Sequence, residues 1–267
     1  GRTSRKARSM NELSLDPDRS TGYAMRGLQG ALIDAIGREI VRGRYLPGDL
    51  LPKEAELTEQ YHASRTSVRE AMRVLAAKGL VDIRQKIGTR VRSQDLWNVF
   101  DTDILRWHSE IGLGESVMRD LVEVRQIMEP AAARLATGRA GIPDLKRIDD
   151  ALTAMHAAEG DADAYAHADV SFHLAIYAAT HNVLLRQFGN VVADFMYLTF
   201  TIQQQAADQE LILEDVENHA AVYRAIDRGN GEAAAEAMLT VVLDGKSSLV
   251  QALSEESDRR RAQGTAG

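Results

Sequence analysis

The chain has 267 residues, 45% of them apolar, which is more length than one domain of about 100–200 residues needs and enough material for two cores. The absence of cysteine excludes a disulfide scaffold, a thiolate zinc finger and a cysteine nucleophile, and fits a reducing cytoplasm. No apolar run reaches the roughly 18–20 residues of a membrane span and no hydrophobic signal core opens the chain, so a soluble, unexported protein is expected, with no membrane partner. The net charge of −7 is uneven: through Ser93 there are 18 Lys+Arg against 11 Asp+Glu, a net +7, and the remainder carries 14 against 28, a net −14. A basic module that meets a polyanion, followed by an acidic one that does not, accounts for this split.

Residues 1–23 are basic at first and lack apolar periodicity, so a flexible arm or a cloning remnant is expected there. From Leu28 the apolar positions Leu28, Leu32, Ile33, Ile36 and Ile40 share one helical face, which ends near Gly43. A short helix over LPKEAELTEQY buries Leu57 and Tyr61. Ser64 then caps a third helix with the stripe Val68, Ala71, Met72 and Leu75. Val81 and Ile83 alternate with Asp82 and Arg84, and Thr89–Arg92 alternate again after a tight turn, which predicts a hairpin. Three helices and a basic hairpin make a winged helix-turn-helix over residues 24–93. Arg65, Thr66 and Arg69 on the third helix are suited to base edges and phosphates, and Arg84, Lys86, Arg90 and Arg92 on the hairpin to the flanking backbone.

The string GRYLPGDLLPKEAELTEQYHASRTSVREAMRVLAAKGLV resembles the DNA-binding domain of the GntR family of bacterial transcription regulators, over roughly residues 24–92. That resemblance implies operator contacts by Ser64, Arg65, Thr66 and Arg69 and by the wing around Gly88. It also implies that the turn containing Glu54 orders the second helix. Ala55 departs from relatives that carry a DNA-contacting arginine there.

Residues 94–114 are expected to form a linker helix, with Trp97 and Trp107 packed between the modules. From there on only helical stripes remain. The first is Val117, Leu121, Val124, Met128, Ala131 and Leu135; the second is Leu145, Ile148, Leu152 and Met155, behind Pro143. Further helices follow from Asp163, Val183, Gln209 and Glu232, so residues 115–255 predict an antiparallel helical bundle and residues 256–267 a disordered tail. The fold class is therefore mainly α, a winged helix-turn-helix followed by an all-helical domain.

Asp169 and His173, four apart, project from one side of a helix, and His219 lies on a later one. One carboxylate and two imidazoles suit a first-row divalent ion such as zinc, manganese, iron or nickel; ordinary hydrogen-bonded histidines are the other reading of the same residues. The strings EVRQIMEPAAARLA, ADVSFHLAIYAATHNVLL and ENHAAVYRAIDRGNGEAAAEAM resemble the FadR-type C-terminal domain of the same family, over roughly residues 115–253. The resemblance implies a divalent metal, zinc first, held by Asp169, His173 and His219, and an effector-binding and dimerisation role for the domain. A further ligand would fall at position 241, which is Val241.

Arg125 resembles a position facing the effector cavity, where its planar fork suits a carboxylate; a surface salt bridge with Glu123 or Glu129 is the alternative. The segment DLWNVFDTDILRWHSEIG is similar to the linker of regulators of sugar-acid catabolism, which implies a repressor that releases a pseudo-palindromic operator as a homodimer when an aldonate such as galactonate binds. Asn182 and Gln203 are then polar groups for the effector hydroxyls. Another carboxylate, a hydroxy acid or an acyl-CoA, is the alternative effector. A metal-dependent enzyme is the competing class, but the chain has no HExxH motif and no phosphate-binding glycine loop, so no enzymatic activity is expected.

Overall fold

A computed structural model describes residues 27–110, 115–158, 160–207 and 209–264, and the chain divides into two units, 1–114 and 115–267. The expected arm over residues 1–23 lies outside the described residues.

In the first unit, α1 (Gly27–Val41), α2 (Glu54–Gln60) and α3 (Arg65–Ala77) precede β1 (Val81–Arg84) and β2 (Gly88–Val91). Ser64 caps α3 by accepting from Ser67 N at 3.1 Å. β1 and β2 pair antiparallel with Val81 opposite Val91 and Arg84 opposite Gly88, and Lys86 and Gly88 take positive φ at the tip. Leu51 N donates to Thr89 O and Gly48 N to Val91 O, each at 2.8 Å, so the segment before α2 braces the wing.

The linker is not a separate element. After a 3-10 turn over Gln94–Leu96, α4 (Thr102–Glu110) joins the core of the first unit, and Trp97, Ile104 and Trp107 pack in one cluster with Ile36, Val68 and Leu75. Trp107 Nε1 donates to Asp34 Oδ1 at 2.8 Å, and the buried Lys78 Nζ donates to Asp101 at 2.9 Å. The two tryptophans are therefore internal to the core of the first unit and not the packing between modules that the sequence suggested. Three short helices offer too little apolar surface for a closed core, and the indoles complete it.

The second unit is all helical among the described residues: α5 (Glu115–Thr137), α6 (Ile142–Ala157), α7 (Ala162–Ala179), α8 (Val183–Ala206), α9 (Gln209–Asp227) and α10 (Gly231–Gly264). Asp161 caps α7, and Asn182 caps α8 by accepting from Leu184 N and Leu185 N. α10 runs nine residues past 255, where a disordered tail was expected, because SEESDRRRAQ contains no proline or glycine and is rich in helix formers.

The inward face of α5 also differs from the sequence reading. Met118, Leu121, Val122, Arg125, Glu129, Ala132 and Ala136 are buried, whereas Val124 and Ile127 are exposed. Of the expected stripe only Leu121 is buried, Val124 and Ala131 face out, and the charged pair Arg125 and Glu129 faces in.

Candidate metal centre and nucleic-acid interface

On the first unit, α3 presents Arg65, Thr66 and Arg69 as exposed side chains behind the Ser64 cap. Arg69 Nε donates to Glu54 Oε2 at 2.9 Å, which ties the start of α2 to α3. On the wing, Arg84 Nε donates to Asp82 Oδ2 at 2.7 Å, Arg90 Nη1 donates to the Gly48 carbonyl at 2.9 Å, and Lys86 is exposed at the tip beside Gly88. These are solvent-facing pairs of the kind that contribute little to stability and exchange readily for phosphate.

On the second unit, one turn of α7 separates Asp169 from His173, and α9 brings His219 to them. Asp169 Oδ1 lies 3.1 Å from both His173 Nε2 and His219 Nε2, and all three residues are nine-tenths buried or more. Among the described residues these three form a group whose donor atoms all lie within 4.8 Å of one another. Val241, on α10, is buried and offers no donor atom.

The outer ring nitrogens face away from the group. His219 Nδ1 donates to the Asp215 carbonyl at 2.7 Å. His173 Nδ1 lies 2.9 Å from Glu129 Oε2, at an angle short of an aligned hydrogen bond. Glu129 Oε1 accepts from Arg125 Nε at 2.7 Å and Oε2 from Arg125 Nη2 at 3.2 Å. The Arg125 guanidinium lies 4.7 Å from the Phe200 ring centre, and Tyr165 OH donates to Asp215 Oδ2 at 2.6 Å. The salt bridge foreseen between Arg125 and Glu129 is present, but it is a buried one.

Burial pushes the Asp169 carboxyl up, yet His219 and His173 outweigh it and hold Asp169 below the usual carboxylate range. Glu129 is likewise brought down to about 2, where burial is overcome by Arg125 and His173. For His219, burial favours the neutral ring, but Asp215 and Asp169 raise it to about 9; His173 is raised by Glu129 and Asp169 against the same opposing burial.

These residues fit a divalent cation. Donors on a zinc ion at about 2.0–2.1 Å stand roughly 3.4 Å apart along a tetrahedral edge, close to the 3.1 Å from Asp169 Oδ1 to each imidazole. With both imidazoles neutral, Asp169, Glu129 and Arg125 leave one net negative charge in the interior. A dication replaces the two imidazole protons with no change in buried charge.

Asn182 and Gln203 do not join this group through any contact of their own. Asn182 uses its side-chain oxygen as the α8 cap. Gln203 Nε2 donates to the Gly245 carbonyl at 2.7 Å and lines a cleft of about 240 Å³ with Gln204, Asp215, Asn218 and Asp244. Glu129, Asp215, Tyr165 and Phe200 were not singled out from sequence as parts of a site; only the i, i+4 spacing of Arg125 and Glu129 signalled any of them.

Two family models match the chain: bacterial regulatory proteins of the gntR family over residues 28–91 and the FCD domain over residues 120–243. The galactonate operon transcriptional repressor of Escherichia coli is 35% identical over 79% of this chain and 92% of its own length. The transcriptional regulator LutR of Bacillus subtilis is 32% identical over 75% of this chain and 91% of its own. A solved structure of Lar, described as controlling the agr system of Listeria monocytogenes, shares the fold at a TM-score of 0.59 and 17% identity, over 85% of this chain and 98% of that one.

Proposed function

Since the chain belongs to the GntR family of bacterial transcription regulators, in the branch whose DNA-binding domain is followed by an FCD domain, we propose that it represses a sugar-acid operon and leaves its operator when an aldonate of the galactonate type binds. It is a DNA-binding regulator and not an enzyme. The observation that carries the effector reading is the buried cluster of Asp169, His173 and His219 beside Arg125, a polar interior suited to a small carboxylate. An acyl-CoA tail needs a long apolar tunnel, which such an interior opposes.

Asp169, His173 and His219 would hold the metal, zinc by donor type, and the bound ion supplies a Lewis-acidic position for an effector oxygen. Arg125 adds the cationic fork, held at a fixed angle by Glu129 and Phe200. Gln203 reaches the effector hydroxyls only if the cleft it lines communicates with the centre, and Asn182 serves the helix start instead. In the first unit, Arg65, Thr66 and Arg69 would enter a major groove while Arg84, Lys86, Gly88 and Arg90 follow the flanking backbone.

One short recognition helix reads few base pairs, so two copies on a pseudo-palindrome are proposed, acting in the bacterial cytoplasm. The outward stripe of α5, with Val124 and Ile127 exposed, supports a second copy as its cover. Described helices include none long and apolar enough to cross a membrane.

A gel shift with the operator upstream of the chain's own gene neighbourhood, titrated with an aldonate panel with and without EDTA, tests the proposal. Release by an aldonate that EDTA abolishes is the expected outcome; retention of the complex across the whole panel would sink the sugar-acid reading.

A further inference from the structure

The two imidazoles of the centre are held by different means. His219 Nδ1 donates to the Asp215 carbonyl one turn back in its own helix, with the Asp215 carboxylate farther off at 3.6 Å. His173 Nδ1 instead faces a side chain from another helix, Glu129 Oε2 at 2.9 Å. Glu129 is 1% exposed, and Arg125 grips both of its oxygens while packing against Phe200.

We propose that Glu129 is the positioning residue of the metal centre: it orients the His173 ring so that Nε2 stands beside Asp169 and His219, and Arg125 locks Glu129 in place. An ionised Glu129 oxygen can only accept, so once the 2.9 Å pair closes to an aligned hydrogen bond Nδ1 is its donor, and Nε2 is left to offer its lone pair to the ion. A carboxylate behind a ligating histidine fixes tautomer and ring orientation, and its loss typically weakens metal affinity about 10–100-fold. The same carboxylate holds Arg125, so a ligand that draws on Arg125 is linked to the metal without touching it. The inference rests on the metal reading given above.

The test uses the full-length chain with Zn²⁺ titrated against a chromophoric chelator, and the visible spectrum of the Co²⁺-loaded protein as a second readout. Glu129→Leu is expected to weaken Zn²⁺ about 10–100-fold and to alter the Co²⁺ bands; Glu129→Gln, which keeps an acceptor oxygen, is expected to weaken it measurably but by less. A packing role alone would lower the unfolding temperature of the metal-free variants and leave the affinity and the Co²⁺ spectrum of the folded protein unchanged. That result overturns the proposal, and if Glu129→Leu fails to fold, Glu129→Gln decides it on the same two readouts. Wild-type protein that takes up neither ion overturns the metal reading together with this one. Wild-type uptake with unchanged variants overturns this one alone.

Discussion

The charged side chains of the two candidate sites sit in opposite places, although the first unit also buries an ion pair of its own, Lys78 with Asp101. In the first, Arg65, Arg69, Arg84, Lys86 and Arg90 are all exposed, and the carboxylates paired with Arg69 and Arg84 are half-exposed, at 34% and 43%. In the second, Arg125, Glu129, Asp169, His173 and His219 are 1–4% exposed and satisfied mainly by one another. Exposed pairs cost little to open and trade a carboxylate for a phosphate easily, which suits a polyanion that must bind and leave. Buried pairs are expensive to break and hold a fixed geometry, which suits a small ligand recognised by a few atoms.

Removing a charge should therefore have unequal consequences at the two sites. Arg125→Ala strands Glu129 without its guanidinium in the interior, and a broken buried pair costs about 3–5 kcal/mol. The expected outcome is a large drop in the unfolding temperature of the helical unit by calorimetry. A transition within a degree of wild type would mean that the interior rearranges freely and that the contrast between the units is wrong.

His219→Ala attacks the same interior through its ligand chemistry. Zn²⁺ retention measured by elemental analysis should fall to background and the effector response should vanish, while operator affinity without effector stays at the wild-type level. Loss of operator binding by this variant would show that the helical unit's charges support DNA recognition directly.

In the first unit the core, which also holds the buried Lys78–Asp101 pair, is open to a test by volume. A Cβ on Gly37 would fall inside the Trp107 indole, so Gly37→Ala should overpack this core by about 1–3 kcal/mol, outweighing the roughly 1 kcal/mol that alanine gains over glycine in a helix. Chemical denaturation followed by tryptophan fluorescence reads this, since Trp97 and Trp107 both belong to that core. Arg65→Ala, by contrast, should leave the denaturation midpoint unchanged and weaken operator binding by about 1–3 kcal/mol.

Legibility followed the same division. The recognition helix and wing were readable because every signal was local: a serine cap, an i, i+3, i+4 stripe and a two-residue alternation. Asp169 and His173 were readable for the same reason, one turn apart on α7. The inward placement of Arg125 and Glu129 was not, because the apolar stripe that periodicity selects runs along the edge of the buried face, with Leu121 inside and Val124 outside, and passes the charged pair by. Trp97 and Trp107 looked like interdomain packing because only tertiary structure shows that three short helices leave room for two indoles. Asn182 carried a legible cap signature, just before an apolar helix, and the polar reading of it as an effector contact missed the helix start it satisfies.

The smallest effect expected is the most discriminating. Arg69 and Glu54 are side chains 66% and 34% exposed at 2.9 Å, an exposed pair worth about 0.2–1 kcal/mol to folding. Glu54→Gln should therefore barely move the unfolding temperature, yet it frees Arg69 from a competing carboxylate and removes a negative charge from the DNA-facing side. Non-specific duplex affinity should rise several-fold, with the dependence on log salt steepened by up to about one phosphate equivalent. If Arg69 instead needs Glu54 to hold its angle in the groove, specific operator affinity falls while non-specific affinity rises. Fluorescence anisotropy on operator and scrambled duplexes over a salt series separates the two. A variant unchanged on both duplexes would show that Arg69 stays clear of the nucleic acid and that the exposed charges of this unit are not all poised for exchange.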